Sequence, residues 1–100
     1  MIFKTLEELT IIHWDEKGLY QSATNEKQTL KLVEESLEVD NAFTSEGVDE
    51  QKKEIGDVIT VIINLCKKNG FTLEECLQLA YEKNKNRDGK MSDGEFIHKK

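Results

Sequence analysis

The stretch Glu54-Ile55-Gly56-Asp57-Val58-Ile59-Thr60-Val61-Ile62-Ile63-Asn64-Leu65-Cys66 decides the fold. β-branched residues dominate Val58 to Ile63, a composition that suits a buried strand. Length argues for a helix instead. The run sits inside roughly twenty residues, about Asp49 to Asn69, whose only breaker is Gly56, and a lone strand would have no partner. On a helical wheel Ile55, Val58, Ile59, Val61, Ile62, Ile63, Leu65 and Cys66 cover most of the circumference. A helix apolar on nearly every side must be covered on nearly every side.

Working outward, Gly70 is placed as the C′ residue that ends this helix. Thr72-Leu73-Glu74-Glu75 has the form of a capping box and opens a helix that runs to about Lys85. Upstream, a helix is expected from about Asn25 to Phe43, with Ser22 or Thr24 as its N-cap and TSEGVD as the break after it. A second capping box, Thr5-Leu6-Glu7-Glu8, opens the first helix. That helix turns Leu6, Leu9, Ile12 and one of His13 or Trp14 inward, and stops before Gly18. Residues 18–24 (GLYQSAT) read as a loop. From Asn86 the chain has Asp-Gly twice and no periodicity, so residues 86–100 read as an irregular tail.

The fold class is therefore all-α: a four-helix bundle in one domain over residues 1–100. The absence of Pro, with Gly 6 and aromatics at 7%, excludes a sandwich or barrel of short strands and tight turns. The helix from Asn25 is also two-sided, with Leu30, Val33 and Leu37 on one face and Leu32 and Val39 on the other. Three neighbouring helices of roughly fifteen to twenty residues do not enclose the most apolar one, and a chain this short has a marginal core. Self-association into a homodimer or homotetramer is expected to complete it.

A net charge of −6 argues against nucleic acid or an anionic membrane as partner. The charge is segregated: residues 26–57 carry −6 and residues 81–100 carry +2. That division suits a cation held by the middle and an anion held by the end. No run reaches 18 apolar residues, the length of a membrane span. The opening MIFKTLEELT has acids where a signal peptide needs an apolar core, and Cys66 and Cys76 are too few for a disulfide scaffold. Both observations point to the cytoplasm.

The chemistry-bearing residues are acids. Positions three or four apart on a helix are surface neighbours, so Glu35 pairs with Glu38, Glu54 pairs with Asp57, and Glu34 also reaches Glu38. Residues 39–53 suffice for the first helix to end and the second to return antiparallel, which sets the two pairs face to face. Solvated helix faces often carry EExxE. Glu54 and Asp57 are different, because they border the most apolar run, with Asp57 about 40° from Val61 on the wheel. Inward-facing carboxylates repel unless a hard cation such as Mg²⁺ neutralises them, and that ion keeps waters for substrate phosphates.

EExxE followed by ExxD resembles the MazG-like nucleoside triphosphate pyrophosphohydrolases of the all-α NTP pyrophosphatase superfamily. The resemblance takes in Trp14 with Lys17-Gly18-Leu19, Lys27-Gln28 and Lys31-Leu32-Val33-Glu34-Glu35. It continues through Glu54-Ile55-Gly56-Asp57, Gly70, Leu73-Glu74-Glu75-Cys76-Leu77 and Ala80-Tyr81. The stretch Lys85-Asn86-Arg87-Asp88-Gly89-Lys90-Met91, with Gly94-Glu95-Phe96, is similar to the end of short, often phage-encoded members. Glu82 stands where many members have Asn.

The resemblance implies cleavage of a (d)NTP between the α and β phosphates, giving (d)NMP and pyrophosphate. It implies Glu35, Glu38, Glu54 and Asp57 as ligands to Mg²⁺, with Mn²⁺ as a substitute, and Glu34 or Glu38 as the carboxylate that orients or deprotonates water. Lys85, Arg87 and Lys90 are then placed for the distal phosphates, Lys31 adds to them, and Trp14 stacks on the base. His13 is structural.

A rival reading takes Asn84 to Glu95 as an EF-hand loop, with oxygen ligands at positions 1, 3, 5 and 9, Gly at 6 and Glu at 12. Asn84 in place of Asp, a short exiting segment and the lack of a second loop weigh against it. A third reading is a non-catalytic helical adaptor, which leaves the paired acids as solvated surface.

Overall fold

A computed structural model describes residues 1–98. The chain is helical to Lys85: α1 (Phe3–Glu16), α2 (Leu19–Ser22), α3 (Asn25–Ser45), α4 (Val48–Lys68) and α5 (Leu73–Lys85). A hairpin of β1 (Gly89–Ser92) and β2 (Glu95–His98) follows. The all-α class holds, with α1, α3, α4 and α5 as the four expected helices. The β-branched run from Val58 lies wholly inside α4.

The frame is the antiparallel pair α3 and α4. On α3 the positions turned from solvent are Gln28, Leu32, Glu35, Val39 and Ala42. On α4 they include Gln51, Glu54, Val58, Val61, Leu65 and Lys68. Alternating steps of three and four are the spacing of two helices that pack along a common seam. Polar clamps fix both ends of the seam. Asn25 and Asn69 exchange amide hydrogen bonds of 3.0 and 2.8 Å at the open end. At the connection, Gln51 Nε2 donates to the Glu46 carbonyl at 3.2 Å.

Local chemistry explains the boundaries. Thr24 is the N-cap of α3, its hydroxyl accepting from the Lys27 N–H at 3.2 Å. Thr72 caps α5 in the same way through Glu75 N–H at 3.1 Å, and its hydroxyl donates to the Glu75 carboxylate at 3.2 Å. Gly70, at φ +80°, ends α4 in a Schellman turn: Phe71 N–H bonds the Cys66 carbonyl and Gly70 N–H the Lys67 carbonyl. The short α2 is held to α4 by the Tyr20 hydroxyl, which donates to Asn64 Oδ1 at 2.7 Å. That bond satisfies an amide only 3% exposed. Burial and nearby Asp15 push the Tyr20 phenol upward.

Four expectations are corrected. Thr5 does not cap α1; the helix begins three residues earlier, with Ile2 at the N-cap and no side-chain cap. Leu6, Leu9 and Ile12 do not point inward: α1 turns Glu7, Thr10, Ile11 and Trp14 toward α4 and leaves those three exposed, along with His13. Residues 18–24 are not all loop, because Leu19–Ser22 forms the single turn of α2. The stretch from Gly89 to His98 is a paired ribbon, not an irregular tail; residues 99 and 100 of that tail lie outside the described residues. Its turn is Asp93-Gly94, at φ 51° and 81°, the left-handed pair that a two-residue hairpin turn requires. Gly89 is needed where the strands cross, since a Cβ there would strike the Ile97 carbonyl and the Phe96 ring.

The chain is open for its length. Its radius of gyration is 16.0 Å, against about 13 Å for a compact chain of this size. Among the described residues no large side chain is completely buried. Leu30, Val33 and Leu37 form a solvent-facing strip on α3, with Leu30 at 62% and Leu37 at 61% exposure.

Candidate metal centre

The seam carries its acids near the middle. Glu35, on the inner stripe of α3, and Glu54, on that of α4, meet because Val39, Ala42, Val58 and Val61 bury the positions around them. Asp57 lies one turn beyond Glu54. One carboxylate oxygen from each of Glu35, Glu54 and Asp57 lies within 4.8 Å of the others. The Glu35 side chain is only 14% exposed.

This grouping is electrostatically unbalanced. Partial burial first, then the charges of Asp57, Glu38, Glu35 and Glu46, push the Glu54 carboxyl above its ordinary value. Among the described residues, Lys31 is the cation within ion-pair distance of any acid of the two motifs. Its Nζ is 3.1 Å from Glu35 and 3.6 Å from Glu34. The hydrogen bond to Glu35 holds the Lys31 ammonium above its usual range. An all-oxygen donor set with surplus negative charge matches the preference of a hard divalent cation. The residues fit such an ion.

The other sequence-selected residues are placed as follows. Glu38 lies outside the group of three, yet close enough to act on the Glu54 charge. Glu34 points outward, with its side chain 64% exposed and paired to Lys31. Trp14 is half-buried on α1, edge-on to the His13 ring with centroids 5.0 Å apart. Lys85 is paired with Glu82 at 2.8 Å and lies over the Tyr81 ring. Arg87 and Lys90 are exposed, and the hairpin that carries Lys90 packs against no other described element. One chain therefore brings three acids together but does not bring the C-terminal cations to them.

The EF-hand arrangement is not formed. Asn84 is inside α5, residues 89–92 are extended, and Glu95 pairs across the ribbon with Ser92. A chain in that conformation does not wrap an ion between two helices.

No helix among the described residues is long and apolar enough to cross a membrane. No curated protein and no solved structure matches this chain at significant similarity. A family model, the MazG nucleotide pyrophosphohydrolase domain, matches residues 23–92, a segment that holds α3, α4, α5 and all three clustered acids. On that match over most of its length, the chain belongs to the MazG nucleotide pyrophosphohydrolase family.

Proposed function

We propose that this chain is a divalent-metal-dependent pyrophosphohydrolase that converts a (d)NTP to (d)NMP and pyrophosphate. The observation that supports this most is the meeting of Glu35, Glu54 and Asp57 within 4.8 Å inside the segment that matches the family. These three would hold Mg²⁺, or Mn²⁺ in its place. Bound there, the ion supplies charge neutralisation for the polyphosphate and acidifies the attacking water.

The protein's own groups do the rest. Glu38 lies near enough to act on the Glu54 charge without joining the triad, which suits a carboxylate that orients a water or takes its proton. Glu34 is poorly placed for that work, since it is turned to solvent and tied to Lys31. Lys31, 3.1 Å from Glu35 and 3.6 Å from Glu34, offsets part of their charge. Trp14 serves packing between α1 and α4 before any role on the base. The whole chain acts as one domain, in the cytoplasm, as a homodimer or homotetramer that covers the strip on α3.

The test is pyrophosphate release from a panel of ribo- and deoxyribonucleoside triphosphates with Mg²⁺. Asp57→Asn is expected to lower the rate by about 10²-fold or more, because Lewis-acid stabilisation contributes several kcal/mol. It is also expected to abolish the rise in melting temperature that Mg²⁺ produces in the unaltered protein. Turnover that persists in Asp57→Asn would overturn the assignment.

A further inference from the structure

The chain has two cysteines, and the fold brings them together. Cys66 lies in the last turn of α4 and Cys76 in the first turn of α5, with the Schellman turn at Gly70 between them. Their Sγ atoms are 3.7 Å apart. A disulfide bond of about 2.05 Å asks the sulfurs to approach by a further ~1.7 Å. Side-chain rotation and a small shift of α5 supply that. Among the described residues α5 packs against no helix except α4, and beyond Cys76 its Leu77, Leu79 and Tyr81 face solvent.

The two thiols differ in access. Cys66 is only 6% exposed. Burial first, then the hydrogen bond and charge of Cys76 and the acids Glu7 and Glu75, push its thiol up to about 11. A thiol held there is almost wholly protonated near neutral pH and is a poor first nucleophile. Cys76 is half-buried and lines an open groove of about 970 Å³ between α1 and α5, together with Phe3, Ile59, Leu73 and Leu77. A groove of that size admits a small organic molecule.

We propose that Cys66 and Cys76 are a reversible thiol–disulfide pair, oxidised by a low-molecular-weight disulfide that enters the groove at Cys76, and that the bond fastens α5 to α4. The Cys76 thiol loses its proton and attacks one sulfur of the small disulfide. The other sulfur leaves and takes up that proton. Cys66 then gives up its own proton and attacks Cys76 Sγ, its contact distance offsetting its small thiolate fraction. The second small thiol departs with that proton. In all, the two cysteines lose two electrons and the small disulfide is reduced to two thiols. Excess small thiol runs the same steps backwards, beginning at the more exposed sulfur. With no third cysteine in the chain, no internal exchange competes. Neither thiol belongs to the acidic triad, so the bond forms whether or not a nucleotide is turned over.

The test holds the full chain in mixtures of reduced and oxidised glutathione, folded and in urea, and quenches with acid. Intact mass gives the fraction that is two hydrogens lighter, and peptide mapping locates the link. In the unfolded chain the thiols meet only by chance closure of the loop between them. The folded chain is therefore expected to favour the bond about tenfold more than the unfolded chain, with residues 66 and 76 joined inside one chain. By linkage the oxidised protein gains the same factor in stability, read as a melting temperature higher by roughly 5–10 °C. Equal or weaker oxidation of the folded chain, or a link between two chains, overturns the proposal. Single variants then check the order of events under the same oxidised glutathione. Folded Cys66→Ala is expected to accumulate the glutathione adduct on Cys76, and folded Cys76→Ala to stay unmodified. An adduct that forms on Cys66 as fast as on Cys76 overturns entry through the groove.

Discussion

The α3–α4 pair and the α5–hairpin arm are built from similar sequence and end in opposite conditions. Both have apolar residues at steps of three and four. In α3 and α4 the stripes find each other, lock at Asn25 with Asn69, and bring Glu35 to Glu54. In α5 only Leu73, Cys76 and Ala80 are partly covered, while Leu77 and Leu79 lie open. An apolar stripe therefore states that a face is to be buried and says nothing about which chain buries it. The contrast has a functional side, since the enclosed half holds the three clustered acids.

The strongest way to break this contrast is to charge each face of α3 in turn. Leu37→Asp lies on the outer strip, where in a free monomer a substitution shifts stability by about 0.5 kcal/mol or less. If a second copy covers the strip, a buried Leu contributes roughly 1.5–3 kcal/mol. Two-fold symmetry counts it twice. Dissociation is then expected to rise by about 10²- to 10⁴-fold, read as the mass by light scattering across a dilution series. Val39→Asp, on the α4-facing side, is expected to unfold the chain at every concentration. Equal behaviour of the two variants would erase the distinction between the halves.

How much of this was legible from sequence depends on how far each feature reaches along the chain. α3, α4 and α5 were legible because propensity, periodicity and end signals agree, and Gly70 and Thr72 sit where the chain turns. The acid motifs were legible as pairs, because helical spacing is local. Which three of the acids converge was not, since that depends on the register of α3 against α4, set by Asn25, Asn69 and the valines between. Glu38 shares a motif with Glu35 yet falls just outside the group. Leu6, Leu9 and Ile12 misled because they form an apolar face that α1 does not use within its own chain. The hairpin had a usable sign in Asp93-Gly94 between short alternating runs, masked by strands too brief to show a period.

A smaller effect sharpens the site half. Glu54 is held above its ordinary value near 4.5, so the folded state binds its proton more tightly than the unfolded state does. Without metal its charge is no burden below that ordinary value. The penalty grows as pH rises through the window up to the raised value and is complete above it. Glu54→Gln is accordingly expected to raise the metal-free melting temperature at pH 7 by a few degrees, and to leave it unchanged near pH 4. With Mg²⁺ the order reverses, because the unaltered protein alone keeps its third ligand. Thermal unfolding at the two pH values, with and without Mg²⁺, checks all of this. A metal-free Glu54→Gln that melts lower at pH 7 would mean the carboxylate is stabilised by a contact the geometry does not show.

The smallest expected effect compares two threonines with the same local sequence. Thr5 and Thr72 each open Thr-Leu-Glu-Glu, and only Thr72 accepts from the N–H three residues on. Removing an N-cap costs about 1 kcal/mol, so Thr72→Ala is expected to lower the unfolding free energy by that amount, read as a lower urea midpoint at constant slope. Thr5→Ala falls inside α1, where Ala is the better helix former, and is expected to leave the midpoint unchanged or slightly raised. The difference arises from what precedes each motif. Thr72 follows the Schellman turn in extended backbone, so the α5 helix begins only at Leu73, whereas nothing before Thr5 stops α1 from starting at Phe3. A loss in Thr5→Ala equal to that in Thr72→Ala would show that α1 begins at the capping box in solution and that its first turn is frayed.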